Sequence, residues 1–487
     1  MHALFPEPRR GVMACLALAV IVSYFNALSG DFQFDDYKVI VDNPSVHSWE
    51  AWFAGLGHGI RPLLKFSYTL DWTLGLGVTG FHITNLLIHL VNAWLVFRLS
   101  EIFIEHCQLD GRASARQHVG LKPDLQHVNF VPLFAALLFA VHPVHTEAVT
   151  YICGRSTSLM TLLYLGGLLA YVTGRTCQNN SRQGRFRLYA VTPLLFIFAL
   201  SVKETAVTFP LALLIWELGC GGAWKTAFRP QWPSWAVLLA GALFFLFDDN
   251  YLSQIERSAE LNTMQGNLAT QLAAFAYLLR QWALPLWLNI DPDLPLLSSL
   301  PLLRDPPESP LPALFFLAVC ALMLACWRRR PWLGFALAWA IIQLLPLHLF
   351  LPRLDIANDR QLYLAGWPLF LALAAELALW LNTRSFRIAC IILLLTLGSL
   401  TLLRNQVYAD EIALWEDTAR KSPHKARVRN NLSYAYKLAG RTEDARREFT
   451  LALQLDQQHI KARYNLEYLD EPSLDNPPAP EKAKSLR

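Results

Sequence analysis

Long stretches without charged residues recur along the chain, and each has the length of a helix. The clearest lie at 11–30, 72–97, 156–174, 309–327 and 331–352. A hydrocarbon core of about 30 Å needs roughly 20 helical residues, so each of these could cross a bilayer. Shorter candidates lie at 128–141, 188–202, 205–219, 233–247, 362–382 and 388–403. The pattern predicts an all-α polytopic membrane protein with about eleven transmembrane helices.

The placement of Lys and Arg predicts how these helices are threaded. Loops rich in basic residues, such as the one after 156–174, should be cytoplasmic. The first stretch is too long for a signal-peptide core, so we expect an uncleaved helix. We split 188–219 into a hairpin at Lys203 and Glu204, and we interpret 267–290, which contains Pro285, as re-entrant or interfacial. Eleven crossings place the C-terminus outside the cytoplasm.

The chain becomes charged and helix-forming after about residue 405, with a repeat of 34 residues. The repeat aligns Trp415 with Phe449 and Leu432 with Leu466, which is a tetratricopeptide register. One complete repeat cannot bury a solenoid core, so this unit should pack against the membrane domain or a partner. The predicted domains are 1–404 (transmembrane, catalytic), 405–470 (tetratricopeptide repeat) and 471–487 (disordered tail).

Composition agrees with a membrane protein. Hydrophobic residues make up 54% of the chain and charged residues 16%, whereas a soluble domain has about 25% charged residues. The net charge of +4 is too small and too dispersed to indicate a nucleic-acid partner. The eight cysteines contain no C-x-x-C motif and predict neither a disulfide framework nor a zinc site.

Candidate chemistry begins with two adjacent carboxylates, Asp35 and Asp36, in the first non-cytoplasmic loop. Neighbouring carboxylates repel each other, which can raise the pKa of one of them and make it a proton acceptor. The alternative is that both are hydrated loop residues or helix caps.

Further polar groups interrupt apolar stretches at three places. His142, His145 and Glu147 form one cluster, although histidines at such a boundary are more often part of a hydrogen-bonded structure. The pair formed by Lys203 and Glu204 is a functional hypothesis, and its alternative is a shallow turn that reaches the interface. In the last polar loop, an arginine could bind a phosphate through two hydrogen bonds. The residues of that loop singled out here are Arg360 and Tyr363.

Taken together, these segments resemble the transmembrane and tetratricopeptide-repeat O-mannosyltransferases, which have the GT-C glycosyltransferase fold. The resemblance spans about residues 10–470, and the motifs occur in the family's order. They are Phe34-Asp35-Asp36, Asn43-Pro44, Arg61-Pro62-Leu63, Phe81-His82-x-x-Asn85, His142-Pro143-Val144-His145-Thr146-Glu147, Gly154-Arg155-Ser156, Lys203-Glu204 and Arg360-x-x-Tyr363. The chain has barely one complete repeat where eukaryotic members carry long arrays, which suggests a bacterial relative.

The resemblance implies transfer of a mannose-like hexose from a polyprenyl phosphate to a hydroxyl of an extracytoplasmic acceptor, such as a protein Ser or Thr. For a bacterial relative the carrier would be undecaprenyl rather than dolichyl phosphate. The active site and the C-terminus would then be periplasmic, at the inner membrane. The repeats could recruit the acceptor protein.

Roles follow from this chemistry, because displacing a phosphate needs a base for the acceptor and cations for the leaving group. We expect Asp35 to be the base, and Asp36 to orient it or to hold a divalent metal cation. A direct displacement would invert the anomeric centre. The phosphate-binding candidates are Arg155, Lys203 and Arg360; His142, His145 and Glu147 would line the site or hold a metal; further candidates are Arg61, His82, Glu204 and Tyr363.

Two other functions remain compatible with the sequence. An oligosaccharide ligase that uses a lipid diphosphate would share the architecture and differ in its donor. A transporter of lipid-linked glycans, or a scaffold, would not be an enzyme, and a scaffold would tolerate loss of Asp35 and Asp36.

Overall fold

In the computed structural model the described residues are helices and their connections. The structure describes residues 10–57, 60–109, 130–177, 181–222, 224–246, 263–297, 310–345 and 355–470. Helices of seven residues or more are numbered in chain order. They are α1 Arg10–Tyr24, α2 Trp49–Gly55, α3 Pro62–Leu74, α4 Gly77–Leu109, α5 Val131–Val141, α6 Arg155–Thr176, α7 Thr192–Leu200, α8 Phe209–Gly219, α9 Trp224–Leu246, α10 Met264–Ala283, α11 Leu311–Cys326, α12 Pro331–Leu344, α13 Trp367–Trp380, α14 Thr383–Val407, α15 Glu411–Lys421, α16 Ala426–Leu438, α17 Thr442–Leu455 and α18 Ile460–Glu467.

Every apolar stretch marked in the sequence is helical over most or all of the part that the structure describes, which supports the all-α prediction. Four helical segments are long and apolar enough to cross a membrane, and the number rises to six if each of two bent pairs counts as one span; this number refers to the described residues. The four are Arg10–Ser29, Gly77–His106, Ile152–Thr176 and Thr383–Val407. Apolar helices of this kind indicate a membrane protein.

Two of the predicted stretches are interrupted at a glycine. The stretch 72–97 does not form one helix, because α3 ends at Leu74 and α4 begins at Gly77. Gly75, between them, has a φ of 67°, which favours glycine. The stretch 362–382 bends by 64° at Gly366, where a Cβ atom would lie 2.7 Å from the Leu362 carbonyl oxygen.

The helical breaks at two other places follow from the local sequence. The chain bends by 53° after α5, because Pro143 disfavours a helical conformation for His142. The predicted split of 188–219 is also present, since α7 ends at Leu200 and a 3₁₀ turn starts at Glu204. The polar residues at these two breaks, His142 and the pair formed by Lys203 and Glu204, therefore lie next to helix ends.

The core of the membrane domain is built around α5. This short helix packs against α1, α4, α13 and α14, and nine of its eleven residues are buried. Helix α10 starts at Met264, just before the segment 267–290 that was predicted to be re-entrant or interfacial, and ends at Ala283, before Pro285. Its Asn267, Gln271 and Gln281 are buried, so its polar face points into the protein.

Each of the helices α15 to α18 packs on the next one in the chain, and together they share a small apolar core. Of the residues that the 34-residue register aligned, Trp415, Leu432 and Phe449 are buried in this core and Leu466 is partly buried against it. The unit also packs on the segment after α10: Ser422 Oγ donates to the Asp291 carbonyl at 2.8 Å, and Lys421 Nζ donates to the Leu288 carbonyl at 2.8 Å. The predicted tail at 471–487 lies outside the described residues.

Candidate active site

Asp35 lies where two neighbouring cavities meet. The first cavity has a volume of about 240 Å³ and the second about 250 Å³. Four residues line both of them: Asp35, Asp355, Asn358 and Arg360. A carboxylate in this position can face a ligand in either cavity, as a group that acts between two substrates must.

The loop before Asp35 has a strained backbone. Phe34 has a φ of 46°, a left-handed conformation that costs an aromatic residue about 1–3 kcal/mol and persists only where its surroundings impose it. Its ring packs edge-on against Trp415 of α15, with centroids 5.0 Å apart. Gln33 Nε2 donates to the Tyr408 carbonyl at 2.5 Å. The loop is thus fixed by Tyr408, which follows α14, and by Trp415 of α15.

Asp36 holds the same loop from its buried side. Its Oδ2 accepts from the Gln33 N–H at 3.0 Å, and its Oδ1 accepts from the Cys153 N–H at 2.8 Å. The side chain is 1% exposed, and burial raises its pKa to about 7. Asp36 lines neither cavity, so its geometry suits the orienting role and not that of a ligand for a substrate-bound cation.

Asp35 itself has the environment of a proton acceptor. Its N–H donates to the Tyr151 hydroxyl at 3.1 Å, which fixes the backbone. Burial raises the pKa of Asp35, the positive charges of Arg360 and Lys38 lower it, and the negative charge of Asp355 raises it again. The net effect is a pKa above the usual range of an aspartate, which makes Asp35 a stronger base.

Cationic side chains from separate segments line the first cavity. Lys203 follows the end of α7 and its Nζ donates to Thr157 Oγ1 at 2.7 Å. Arg61, which precedes α3, pairs with Glu204 at 2.8 Å between Nη2 and Oε2. Arg360 is the third. The uncharged polar lining, suited to sugar hydroxyls, consists of Ser156, Thr157, Thr205, Gln343, Asn358 and Gln361.

Glu147 orients Arg360 from the protein interior. Glu147 is fully buried; its Oε2 accepts from the Arg360 N–H at 3.0 Å, and its Oε1 lies 3.3 Å from Arg360 Nε. On the cavity side, Arg360 Nη2 lies 3.9 Å from Asp355 Oδ2. The predicted role of Glu147 in lining the site is therefore indirect, because Glu147 acts through Arg360.

Arg155, the remaining predicted phosphate ligand, lies elsewhere. Its guanidinium is fully buried and pairs with Asp71 at 2.6 Å between Nη1 and Oδ2. Its Nε donates to Asn85 Oδ1 at 2.6 Å, and its Nη2 donates to the Phe81 carbonyl at 2.9 Å. Because these contacts satisfy the guanidinium inside the protein, Arg155 ties together α3, α4 and α6 and does not reach the first cavity.

The two histidines near Glu147 are part of the buried packing. His142 Nδ1 accepts from the Val144 N–H at 3.3 Å, and the His145 Nδ1 lies 2.8 Å from the Phe139 carbonyl. No group of three or more His, Cys, Asp or Glu in the described part of the chain is arranged to hold a metal ion. Because Glu147 is engaged with Arg360, these three side chains do not fit a metal site.

Two further candidates also make structural contacts. His82 Nε2 lies 3.1 Å from the Gly30 carbonyl, at the start of the loop that carries Asp35. The Tyr363 hydroxyl lies 2.7 Å from His89 Nδ1 and accepts from Asn92 Nδ2 at 3.1 Å. Neither side chain lines the two cavities.

The second cavity brings in residues that the sequence analysis did not single out as site residues. They come from the segment after α10 and from α15 and α16: Ile290, Asp291, Trp415, Arg427 and Asn431. Asp291 and Arg427 are far apart in the chain, and neither belongs to a motif that the sequence analysis identified. The repeat register included Trp415 without indicating that it faces a cavity.

Comparisons with known proteins agree with the motif-based resemblance. The chain is 24% identical to Protein O-mannosyl-transferase Tmtc3 of Drosophila melanogaster, over 94% of this chain and 57% of that protein. It is 26% identical to Protein O-mannosyl-transferase F38B6.6 of Caenorhabditis elegans, over 92% and 63%. It is 25% identical to Protein O-mannosyl-transferase TMTC1 of Homo sapiens, over 94% and 56%.

No protein-family model and no solved structure matches the sequence. The chain spans little more than half the length of the curated relatives named above. Those similarities nevertheless cover more than nine tenths of this chain. The resemblance predicted from the motifs is therefore confirmed: over most of its length this chain is similar to proteins named Protein O-mannosyl-transferase.

Proposed function

We propose that this chain is an integral-membrane glycosyltransferase that moves a mannose-like hexose from a polyprenyl phosphate to a Ser or Thr hydroxyl of a protein. The relatives are named for O-mannosyl transfer, which supports both the sugar and the protein acceptor. Asp35 acts as the base. Lys203 and Arg360 bind the phosphate of the donor, and Arg61 adds positive charge beside them.

One observation carries the proposal: the carboxylate of Asp35 stands between a cavity lined by cations and a cavity that reaches the repeat helices. Cations stabilise the charge that develops on a departing phosphate. The uncharged amides and hydroxyls of the first cavity can hydrogen-bond sugar hydroxyls. The arrangement supports a donor in the first cavity and an acceptor in the second.

The reaction follows as a single displacement. Asp35 accepts the proton of the acceptor hydroxyl while that oxygen forms a bond to the anomeric carbon of the sugar. The bond between the anomeric carbon and the phosphate oxygen breaks, and its electron pair leaves with the lipid phosphate. Lys203 and Arg360 neutralise the departing charge. Attack opposite to the leaving group inverts the anomeric configuration.

The finer architecture belongs to the same proposal. Eleven crossings, with 1–404 as the catalytic domain and 405–470 as tetratricopeptide repeat, would place Asp35 and the repeats on the same, non-cytoplasmic side. In a bacterium that side would be the periplasmic face of the inner membrane, and the carrier would be undecaprenyl phosphate. Basic loops and the 34-residue register support this arrangement.

The proposal is tested with the purified full chain, an acceptor polypeptide and three donors. These are a polyprenyl-phosphate hexose, a nucleotide hexose and a polyprenyl-diphosphate oligosaccharide. We expect the first donor alone to give a hexose linked to Ser or Thr, with inverted configuration. Transfer from the diphosphate donor instead would establish the oligosaccharide ligase, and transfer from the nucleotide donor would reject a lipid-linked mechanism.

Changes in the phosphate-binding residues should weaken donor binding more than they change the fold. Arg360→Lys keeps the charge but loses the planar fork, and Lys203→Gln removes a charge from the cavity wall. We expect each to raise the KM for the lipid donor about tenfold to a hundredfold, the usual range for a hydrogen bond to a charged group. Lys461→Gln, at an exposed position of α18, is the matched control. An unchanged donor KM in both variants would remove these residues from the site.

The pH dependence of transfer should respond to the charges around Asp35. Because the negative charge of Asp355 raises the pKa of Asp35, Asp355→Asn should let Asp35 ionise at lower pH. The acidic limb of the kcat/KM profile should then move to lower pH. Lys38 lowers the same pKa, so Lys38→Gln should move the limb to higher pH. Identical profiles for both variants and the parent would show that another group limits the rate.

A further inference from the structure

The second cavity is built partly from the repeat region. It shares Asp35 and Arg360 with the first cavity, and Asp291, Arg427 and Asn431 also line it. Its apolar and aromatic lining consists of Phe34, Tyr151, Ile290 and Trp415. A ligand in this cavity can therefore contact both the proposed base and helix α16.

Several polar contacts surround Asp291, one of the residues that line this cavity. Asp291 Oδ1 accepts from Lys425 Nζ at 2.5 Å, and its Oδ2 lies 2.6 Å from Arg427 Nη2. Ser422 Oγ accepts from Asn289 Nδ2 at 2.8 Å and donates to the Asp291 carbonyl. These contacts attach the start of α16 to the segment after α10. Both of these segments contribute residues to the wall of the cavity.

The charges around Asp291 do not balance, because its single carboxylate pairs with two cations, Lys425 and Arg427. Arg427 uses Nε, at 2.9 Å, and Nη2 on Asp291. Its Nη1 has no hydrogen-bond partner among the described residues, and its side chain is 36% exposed. A guanidinium edge of this kind is suited to a second carboxylate.

Asn431 lies one helical turn after Arg427, on the same face of α16. A carboxamide both donates and accepts, so it can pair with the backbone of an extended polypeptide. Trp415 and Phe34 supply an apolar wall beside it. The combination suits a polypeptide segment with an acidic side chain better than it suits a lipid or a free sugar.

We propose that the acceptor polypeptide reaches Asp35 through this second cavity, and that Arg427 selects segments with an Asp or Glu close to the target hydroxyl. The inference rests on the proposed function, since it takes Asp35 as the base and the first cavity as the donor site. Arg427 is then a specificity-determining residue that acts on the acceptor and leaves donor binding unchanged.

The test uses the purified full chain and a set of peptides with one target Thr. Within a set, a single residue is Glu, Gln or Lys, and sets differ in the distance of that residue from the Thr. Affinity is measured without donor, by fluorescence polarisation of labelled peptide, and the peptide KM is measured with the polyprenyl-phosphate hexose. Arg427→Gln is compared with Arg429→Gln, because Arg429 pairs with Glu448 inside the repeat unit.

We expect the parent to bind the Glu peptide of at least one set about fivefold more tightly than the Gln peptide, and the Lys peptide most weakly. Arg427→Gln should abolish this preference without changing the donor KM, whereas Arg429→Gln should retain it. Raised salt should reduce the preference, because it screens a half-exposed charge pair.

The same preference in Arg427→Gln, or no preference at any distance, would overturn the inference. Peptide binding that depends on Arg427 without any sugar transfer would support the subsite and contradict the proposed function. Sugar transfer that does not depend on Arg427 would support the proposed function and contradict the subsite. The two failures are therefore distinguishable.

Discussion

Asp35→Asn should lower the rate of sugar transfer by about 10² to 10⁴, the usual contribution of a general base. The amide preserves the size of the side chain and can still accept a hydrogen bond, but it cannot take up the proton of the acceptor hydroxyl. The Asp35 N–H bond to Tyr151 involves the backbone and should persist. The lipid-donor KM and the expression level should therefore stay near those of the parent, as measured with purified protein in steady-state assays.

Asp36→Asn is the matched comparison, because it makes the same change one residue along. Both Asp36 oxygens accept backbone N–H groups, so an amide leaves one buried N–H without an acceptor, at a cost of about 1–3 kcal/mol. We expect a lower thermal midpoint and a smaller loss of rate than in Asp35→Asn. A greater loss of rate in Asp36→Asn, with an intact fold, would exchange the roles of the two carboxylates.

Arg155→Met should reduce the stability of the protein and not its donor affinity. Removing one partner of a buried ion pair costs about 3–5 kcal/mol, because the other charge stays buried. Here Asp71, which is 3% exposed, would lose Arg155. That cost is a large part of the 5–15 kcal/mol that stabilises a typical domain. We expect a marked fall in the thermal midpoint in detergent and poor expression.

A double-mutant cycle separates this role from phosphate binding. Asp71→Asn leaves the guanidinium of Arg155 without its counter-charge, so it too should destabilise. The double variant should lose less stability than the sum of the single losses, since the two residues are in contact. Strictly additive losses, or a stable Arg155→Met with a raised donor KM, would return Arg155 to the phosphate-binding residues.

The positions of the helices could be predicted from the sequence, because a charge-free stretch of helical length is a local property. Each of the eleven marked stretches is largely helical where the structure describes it. The points at which these helices are interrupted were harder to predict from the sequence. The separation of α3 from α4 depends on Gly75, whose neighbours are as apolar as the rest of the stretch, so hydropathy alone passes over it.

The site was predicted in part. Asp35, Lys203 and Arg360, which the sequence marked as charged residues between apolar stretches, do line one cavity. The sequence could not indicate which of the candidate cations forms an ion pair away from the cavity. Arg155 follows the same pattern as Lys203, yet its partner Asp71 lies on another helix. The backbone contact from Arg360 to Glu147 spans 213 residues, and such pairings are decided by tertiary packing.

Mass spectrometry of the proteins outside the cytoplasm shows whether this chain transfers hexose to Ser or Thr and whether the transfer needs Asp35. The comparison needs three sets of cells: with the intact chain, with Asp35→Asn, and without the chain, the first two matched for the amount of the protein in the membrane. We predict hexose on Ser or Thr of a set of acceptor proteins in the first set of cells and its loss in the other two. The same hexose-bearing peptides, at equal abundance, in cells with Asp35→Asn would contradict the account.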